Sequence, residues 1–299
     1  MTMHLFGMVL THKGIFANNR GESEGNTTTL HKILLDGEIY TTVSAESIRY
    51  SLREILQERK ATLNRTTLSH REVSYKDKEF KNWPTYIDDD VFGFMHAKKE
   101  TVSRRGILEV TRAISLTPWR GEVDHHFASA GSNPSIAEKD PIPYSVEVHA
   151  TRYQFGFAMT PQMLGKESLD GKNKLSNKEK MGRLAAILEA IISLRRVGGN
   201  HARYFSDFSP EIVIYRWTDD PAPRYLYCFS LGEDGDISID SLVAKIKVGD
   251  IKGSEIIAGC GIQIEGLNAL KEMGGEIFPS VKEATEKMVQ VMKKDFMNW

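Results

Sequence analysis

The amino-acid sequence predicts an α+β fold, and three observations lead to this prediction. Four segments have the composition of β-strands, two segments have the apolar periodicity of helices, and their order along the chain is strand, helix, strand, strand, helix, strand. This βαββαβ pattern is typical of the ferredoxin-like fold, also called RRM-like because many RNA-recognition domains share it. With 299 residues, 40% of them hydrophobic, the chain is long enough to bury a sizeable core.

Local composition marks the first strand and the first helix. Residues 3–11 are apolar and rich in β-formers, and a polar loop follows at residues 18–26. Ser44 is a good N-cap for a helix that runs to about Glu58. The buried face of this helix is predicted by apolar side chains at helical spacing, namely Ile48, Leu52, Ile55 and Leu56.

The second half of the pattern follows a polar stretch at residues 60–90. We expect this stretch to protrude, and its three consecutive aspartates to form a solvated acidic turn. The β-rich segments that come next are residues 91–96, 107–117 and 144–159. Ser176 and Glu179 form a capping box for a helix that ends at the glycine pair 198–199, and a strand is predicted at residues 211–217.

Two insertions and a tail complete the predicted organisation. Residues 1–217 form the βαββαβ core, with insertions at about 60–90 and 118–143. The second insertion contains several prolines, two glycines and three serines and is too long for a hairpin turn, so we expect a long functional loop. Residues 218–299 form an accessory segment that completes the same domain. Its predicted elements are strands near residues 224–231 and 255–264 and a last helix that begins at the capping box of Ser280 and Glu283.

Charge is divided unevenly along the chain, although the net charge is only −1. Residues 1–217 carry 30 Lys and Arg against 26 Asp and Glu, and residues 218–299 carry 9 against 14. The basic residues of the first part concentrate in three segments, residues 49–71, 98–120 and 174–203. Solvated helix faces often carry such charges, but three basic segments could also converge on a phosphate backbone.

Several classes of site are not indicated. The chain has no GxxxxGK[ST], GxGxxG, HExxH or GxSxG motif, so we expect no catalytic residue, no cofactor and no metal. Its two cysteines, Cys228 and Cys260, have apolar neighbours and are expected to be buried thiols. No apolar run could span a bilayer and the first residues lack the pattern of a signal peptide, so we expect a cytoplasmic protein with no membrane partner.

Four parts of the chain mix basic or amide side chains with apolar or aromatic ones, the mixture that grips single-stranded RNA. They lie in the first polar loop, on the first helix, at the start of the second insertion and after the second helix. The candidate contacts are Asn18, Asn19, Arg20, Arg49, Arg53, Trp119, Arg120, Asn200, His201 and Arg203. Trp119 could equally fill the core, as aromatic side chains often do.

Three segments resemble the DevR-type backbone subunits of type I CRISPR interference complexes (Cascade), with subtype I-B the expected one. They are NNRGE with GNTT in residues 18–28, SAESIR with LRE in residues 44–54, and GGNHAR in residues 198–203. The resemblance covers most of the chain. It implies that Asn26, Thr27 and Ser44 also contact RNA, that the insertion at 60–90 is a finger, and that the insertion at 118–143 is a thumb containing His125, His126 and Phe127.

The resemblance also implies a function and partners. Several copies of such a subunit stack as a helical filament along one guide RNA (crRNA), together with small capping and large Cascade subunits, and the guide pairs with target DNA. The subunit itself contacts phosphate and sugar without selecting bases. The resemblance implies that it is not a nuclease.

Three alternatives stay open. Related type III subunits cut bound RNA, which makes an endoribonuclease using His126 or Asp88 the enzymatic alternative. The family name records a regulatory role, so a nucleic-acid-binding autoregulator is another, although no helix-turn-helix is evident. A small-molecule enzyme on the same scaffold would require a deep apolar pocket.

Overall fold

A computed structural model describes residues 2–19, 23–66, 73–96, 101–128, 142–167, 171–199, 201–232 and 234–297. The strands are β1 (His4–Thr11), β2 (Gly14–Phe16), β3 (Ser23–Glu24), β4 (Thr27–Thr28), β5 (Lys32–Leu35), β6 (Glu38–Val43), β7 (Phe94–His96), β8 (Val102–Arg104), β9 (Leu108–Val110), β10 (Ala113–Ser115), β11 (Val123–Ala128), β12 (Ile142–Glu147), β13 (His149–Thr151), β14 (Tyr153–Met159), β15 (Pro210–Thr218), β16 (Ser230–Leu231), β17 (Ile237–Ser238), β18 (Ile256–Cys260) and β19 (Glu276–Phe278). The helices are α1 (Ala45–Glu58), α2 (Ile87–Phe92), α3 (Asn177–Ile191), α4 (Asp240–Lys247), α5 (Leu267–Glu272) and α6 (Val281–Met297).

Nine strands of the described ranges form one mixed sheet. Its order is β19, β18, β15, β1, β14, β10, β6 and β5, with β9 also paired to β14. The central strand β1 is antiparallel to both of its neighbours, and Leu5 lies opposite Met159 on one side and Trp217 on the other. The α+β class predicted from the sequence is therefore confirmed.

Alternation along β1 separates two hydrophobic cores. Leu5 and Val9 face a core that includes buried residues of α1, α3 and α6. Phe6, Met8 and Leu10 face the opposite side of the sheet, where residues of the C-terminal segment bury them. Residues between 225 and 277 thus cover one sheet face, α6 packs on the other, and β18 and β19 extend the sheet.

Helix starts follow the predicted caps. The Ser44 side chain accepts a hydrogen bond from the backbone N–H of Ser47 at the start of α1. The Ser176 capping box is present at the start of α3. This helix ends at Ile191, earlier than predicted. The residues that follow form a turn in which Leu194 and Val197 are buried and Arg196 has φ +52°.

Several predicted strands are broken or absent. The segment 107–117 splits into β9 and β10, because an extra residue near Thr111 bulges between their pairings with β14. The segment 144–159 divides among β12, β13 and β14. In the segment 224–231 only Ser230–Leu231 is a strand, since Arg224 and Tyr227 adopt positive φ. Both cysteines are buried, as predicted.

The predicted acidic turn is also wrong. Asp88, Asp89 and Asp90 lie in α2 and are at most 3% exposed. Apolar side chains on both sides of them are buried as well, including Phe80, Trp83 and Phe92. The second half of the 60–90 insertion therefore packs into the domain rather than protruding.

Candidate nucleic-acid interface

A basic cleft lies beside the N-terminal half of α1. It has a volume of about 1150 Å³ and opens to solvent. Among the described residues, its charged lining consists of Arg49, Arg53, Arg65, Arg196 and one acidic residue, Glu46, and His201 lies beside them. The rest of the lining is Ala45, Ser47, Tyr50, Met95, Val110, Gly198 and Gly199. An excess of arginine over acid in a concave surface concentrates positive potential, which attracts polyanions.

Arg49 and Arg53 are held on the aromatic ring of Phe92. Their guanidinium carbons lie 5.6 Å and 4.3 Å from its centroid, and Arg49 also donates a hydrogen bond to the Phe92 carbonyl. Burial, followed by the charges of Arg49 and Arg65, lowers the pKa of Arg53 to about 10. Arg53 is thus still protonated at neutral pH, and both arginines are fixed rather than mobile.

The buried aspartates of α2 support this cleft from beneath. Asp88 accepts hydrogen bonds from the backbone N–H groups of Asn64 and Arg65, at 2.8 Å and 2.9 Å. Its carboxylate therefore fixes the backbone that carries Arg65 into the cleft. Asp89 accepts from the Asn64 amide at 2.7 Å. These roles were not predicted, because the partners are distant in sequence.

Asp90 is the most enclosed of the three, with no exposed surface. Its carboxylate forms ion pairs with Arg104 at 2.5 Å and Arg183 at 2.6 Å, and accepts from the Gly165 N–H at 3.1 Å. Both arginine side chains are also nearly buried. This cluster joins α2 to β8 and α3.

Asp89→Asn is expected to stabilise the protein at pH 8 and to have little effect near pH 4. Burial, together with the charge of Asp88, raises the pKa of Asp89 to about 7, whereas an aspartate in an unfolded chain titrates near about 4. The folded state keeps the Asp89 proton to higher pH than the unfolded state does. The free energy of unfolding therefore falls as the pH rises from about 4 to about 7, and above about pH 7 the loss stays constant.

The full effect of this substitution is on the order of 2–4 kcal/mol. It is measured as the difference in free energy of unfolding in urea between variant and wild type at the two pH values. An Asp89→Asn variant that is less stable than the wild type at pH 8 would contradict the raised pKa of Asp89.

A glycine turn closes the cleft against the first polar loop. Gly199 has φ +79°, and a Cβ placed there would lie 2.2 Å from the Ala17 carbonyl oxygen, so no larger residue fits. Asn18 is 5% exposed beside this turn. The Asn19 amide donates to the carbonyls of Thr28 and Thr29 at 3.3 Å and 3.0 Å, which ties the loop to β4.

Three buried polar atoms near this turn have no hydrogen-bond partner within the described part of the chain. They are Asn18 Nδ2, Asn19 Oδ1 and His201 Nε2. Buried polar groups are normally paired, and a bound ligand is one way in which such atoms are satisfied. Arg20 and Asn200, predicted for the same place, lie outside the described residues.

The predicted thumb begins as a β-hairpin rather than an irregular loop. β11 pairs with β12, and β12 pairs in turn with β4, which places Ser145 opposite Thr27. The Asn26 amide donates to the Pro143 carbonyl at 3.4 Å, and His125 Nδ1 lies 2.9 Å from the Ser145 hydroxyl. This small sheet therefore brings together Asn26, Thr27, His125 and His126. Phe127 is 72% exposed toward the hairpin end, beyond which residues 129–141 lie outside the described ranges.

Four predicted contacts are engaged with the protein itself. The Trp119 indole donates to the Val148 carbonyl at 2.8 Å, and Lys32 Nζ lies 4.3 Å from its ring centroid. Arg120 forms an ion pair with Glu38 at 2.6 Å. Ser44 is buried in its capping role, and the Arg203 guanidinium lies over the Tyr144 ring. None of these residues lines the basic cleft.

Sequence reasoning missed Arg65 and Arg196 as individual cleft residues. Both belong to basic segments that the sequence identified, 49–71 and 174–203. Composition alone does not tell which arginine of a segment faces the cleft. Among the described residues there is no cluster of three or more His, Cys, Asp or Glu able to hold a metal ion, and no helix long and apolar enough to cross a membrane.

Comparison with known proteins identifies the family. Residues 15–226 match the family described as "DevR: CRISPR-associated negative auto-regulator DevR/Csa2". The chain belongs to the DevR/Csa2 family. The resemblance inferred from the sequence is thereby confirmed.

One relative of this DevR/Csa2-family chain matches it over nearly its whole length. "CRISPR-associated protein Cas7/Cst2/DevR" of Myxococcus xanthus (strain DK1622) is 39% identical over 317 residues, which cover 98% of this chain and 100% of that protein. The fold is shared with a chain of a "CRISPR RNA-guided surveillance complex, pre-nicking", with TM-score 0.68, 13% identity and coverage of 96% and 99%. A chain of another "CRISPR RNA-guided surveillance complex" gives TM-score 0.63 at 15% identity, covering 98% and 100%.

Proposed function

We propose that this DevR/Csa2-family chain is a crRNA-binding backbone subunit of a type I CRISPR interference complex, Cascade. Several copies stack along the spacer of one guide RNA and present its bases for pairing with target DNA. Other Cascade subunits flank this filament. The proposal rests on family membership, on the fold shared with chains of RNA-guided surveillance complexes, and on the basic cleft.

The cleft is the observation that carries the proposal. It is open, it is lined by four arginines, and two of them are fixed on Phe92. Arginines held in this way suit the phosphate backbone of a single strand, which a protein can grip without reading sequence. Tyr50 and Met95, both exposed on the cleft wall, supply apolar surface for bases or sugars.

The RNA-binding surface that we propose differs from that of an RRM. An RRM stacks bases on the open face of its sheet. In this protein that face, opposite α1 and α3, is covered by the C-terminal segment, and Phe6 and Met8 are buried there. In our proposal the strands β15, β1, β14 and β10 form an RRM-like palm whose RNA lies along the basic cleft instead. Residues 60–90 and 118–143 act as finger and thumb.

We further propose that the subunit is not an enzyme. Asp88, the aspartate considered for RNA cleavage, is 3% exposed and its carboxylate is occupied by two backbone N–H groups. His126 lies against Tyr204 and Asp124 within the hairpin. The burial and the two accepted hydrogen bonds of Asp88 favour a structural role over proton transfer to a substrate.

The test is the salt dependence of RNA binding. We expect the purified chain to bind unrelated single-stranded RNAs of equal length with affinities within about threefold of each other, and the binding constant to fall steeply with salt, by about 0.7 logarithmic units per phosphate contact for each tenfold increase. Fluorescence anisotropy between 50 and 400 mM NaCl measures this. Binding that is insensitive to salt, or that prefers duplex DNA from the protein's own promoter, would refute the proposal and in the second case favour an autoregulator.

A further inference from the structure

The turn after α3 contacts the thumb hairpin through two consecutive side chains. The Tyr204 hydroxyl donates to Asp124 Oδ2 at 2.6 Å and lies 2.9 Å from His126 Nε2. The Arg203 guanidinium lies 4.9 Å from the centroid of the Tyr144 ring. These contacts connect parts of the chain between 59 and 80 residues apart.

The contacted hairpin residues belong to one cluster that includes both strands. Asp124 and His126 are two positions apart on β11 and therefore share a face. Tyr144 is the register partner of His126 on β12, and the two rings stack with centroids 5.1 Å apart and an interplanar angle of 22°. Because Tyr204 and Arg203 contact these three residues, they hold both strands of the hairpin.

In the described part of the chain, the partial burial of β11 is confined to this cluster. Along β11 only Asp124 and His126 are partly buried, whereas Val123, His125, Phe127 and Ala128 are exposed. In this four-stranded sheet β12 is also paired to β4, whereas β11 is the edge strand and has β12 as its only strand partner among the described residues. The position of β11 therefore depends on the side chains that hold this face.

The same turn also reaches the basic cleft. Gly199 packs against the backbone of Ala17 and Asn18, and His201 lines the cleft. Gly199, His201 and the pair Arg203 and Tyr204 thus contact the first polar loop, the cleft and the hairpin in succession. These contacts connect the cleft to the thumb hairpin.

We propose that Arg203 and Tyr204 form a clamp that fixes the thumb hairpin relative to the basic cleft, and that both are positioning residues for guide RNA. They act through the hairpin and not by contact with phosphate. The inference rests on the proposed function for its role in RNA binding, but the clamp itself can be tested in the free protein.

The first experiment measures amide hydrogen exchange of the free, full-length chain. Tyr204→Phe removes the hydroxyl and keeps the ring, and we expect exchange of the β11 and β12 amides to become at least about tenfold faster, because a hydrogen bond to a charged carboxylate is lost. Exchange in β1 and β14 serves as an internal reference that separates local release from global destabilisation. Phe205→Leu, at a neighbouring position that is 93% exposed, is the matched control and should leave the hairpin unchanged. Hairpin exchange equal to wild type in Tyr204→Phe would overturn the clamp.

The second experiment measures RNA affinity against salt for Arg203→Ala. A clamp residue lowers the affinity but leaves the slope of log binding constant against log salt unchanged. A direct phosphate contact would reduce the slope by about 0.7, and this result would overturn the positioning role. If the wild type fails to bind RNA, the proposed function fails while the exchange experiment still decides on the clamp.

Discussion

Asp90→Ala is expected to destabilise the protein by about 3–5 kcal/mol, because it removes the carboxylate that forms ion pairs with the nearly buried guanidinium groups of Arg104 and Arg183. Removing one partner of a buried ion pair is far more costly than removing the pair. The Gly165 N–H loses its acceptor as well. Since α2 also carries Asp88, loosening it should disturb Arg65 at the cleft.

Unfolding in urea at pH 7 measures this effect. Glu189→Ala is the matched control, because Glu189 forms an ion pair with Arg59 at 2.6 Å but is 60% exposed. Exposed pairs contribute below about 1 kcal/mol, so this variant should unfold close to the wild type. An equal decrease in the free energy of unfolding for the two variants would mean that the buried cluster stabilises the protein no more than an exposed ion pair does.

The double variant Arg65→Ala/Arg196→Ala is expected to lose about 25-fold in RNA affinity at 0.1 M salt. Each lost phosphate contact removes about 0.7 from the slope of log binding constant against log salt, so two lost contacts remove about 1.4. If variant and wild type bind equally at 1 M salt, this change in slope gives a difference of about 25-fold at 0.1 M salt. Both side chains line the cleft, and neither of them is held on Phe92. The substitutions therefore spare that packing.

Arg195→Ala is the control for this experiment. Arg195 is adjacent to Arg196 but does not line the cleft, and it forms an ion pair with Glu58 on the exposed surface. It removes one positive charge from the segment that contains Arg196 and should leave the salt slope unchanged. A loss of affinity as large as that of the double variant would show that net charge rather than the cleft governs binding.

The parts of the fold that sequence predicted are those defined by local patterns. The apolar spacing of Ile48, Leu52 and Ile55 predicted α1, and the β-formers of residues 3–11 predicted β1. The bulge near Thr111 was not predictable, because it depends on pairing with β14, far along the chain. The burial of Asp90 also depends on a distant partner, since Arg183 lies 93 residues away.

The candidate site shows the same division. The stripe of Arg49 and Arg53 followed from helical spacing, and the structure places both in the cleft with His201. The sequence suggested that Trp119 could stack on RNA bases, because its partners Val148 and Lys32 are distant along the chain and cannot be identified from local sequence. The clamp of Tyr204 on Asp124 was hidden for the same reason. The direct RNA contacts of all these residues stay predictions.

The most direct test of the guide-coating role is the nucleic acid that copurifies with the protein from cells expressing it with its partner subunits and a CRISPR array. We predict RNA of uniform length with repeat-derived ends, bound to several copies of the chain per RNA, as measured by RNA sequencing and native mass spectrometry. Assembled complexes that carry RNA of mixed length unrelated to the array, or one copy of the chain per RNA, would contradict the proposal.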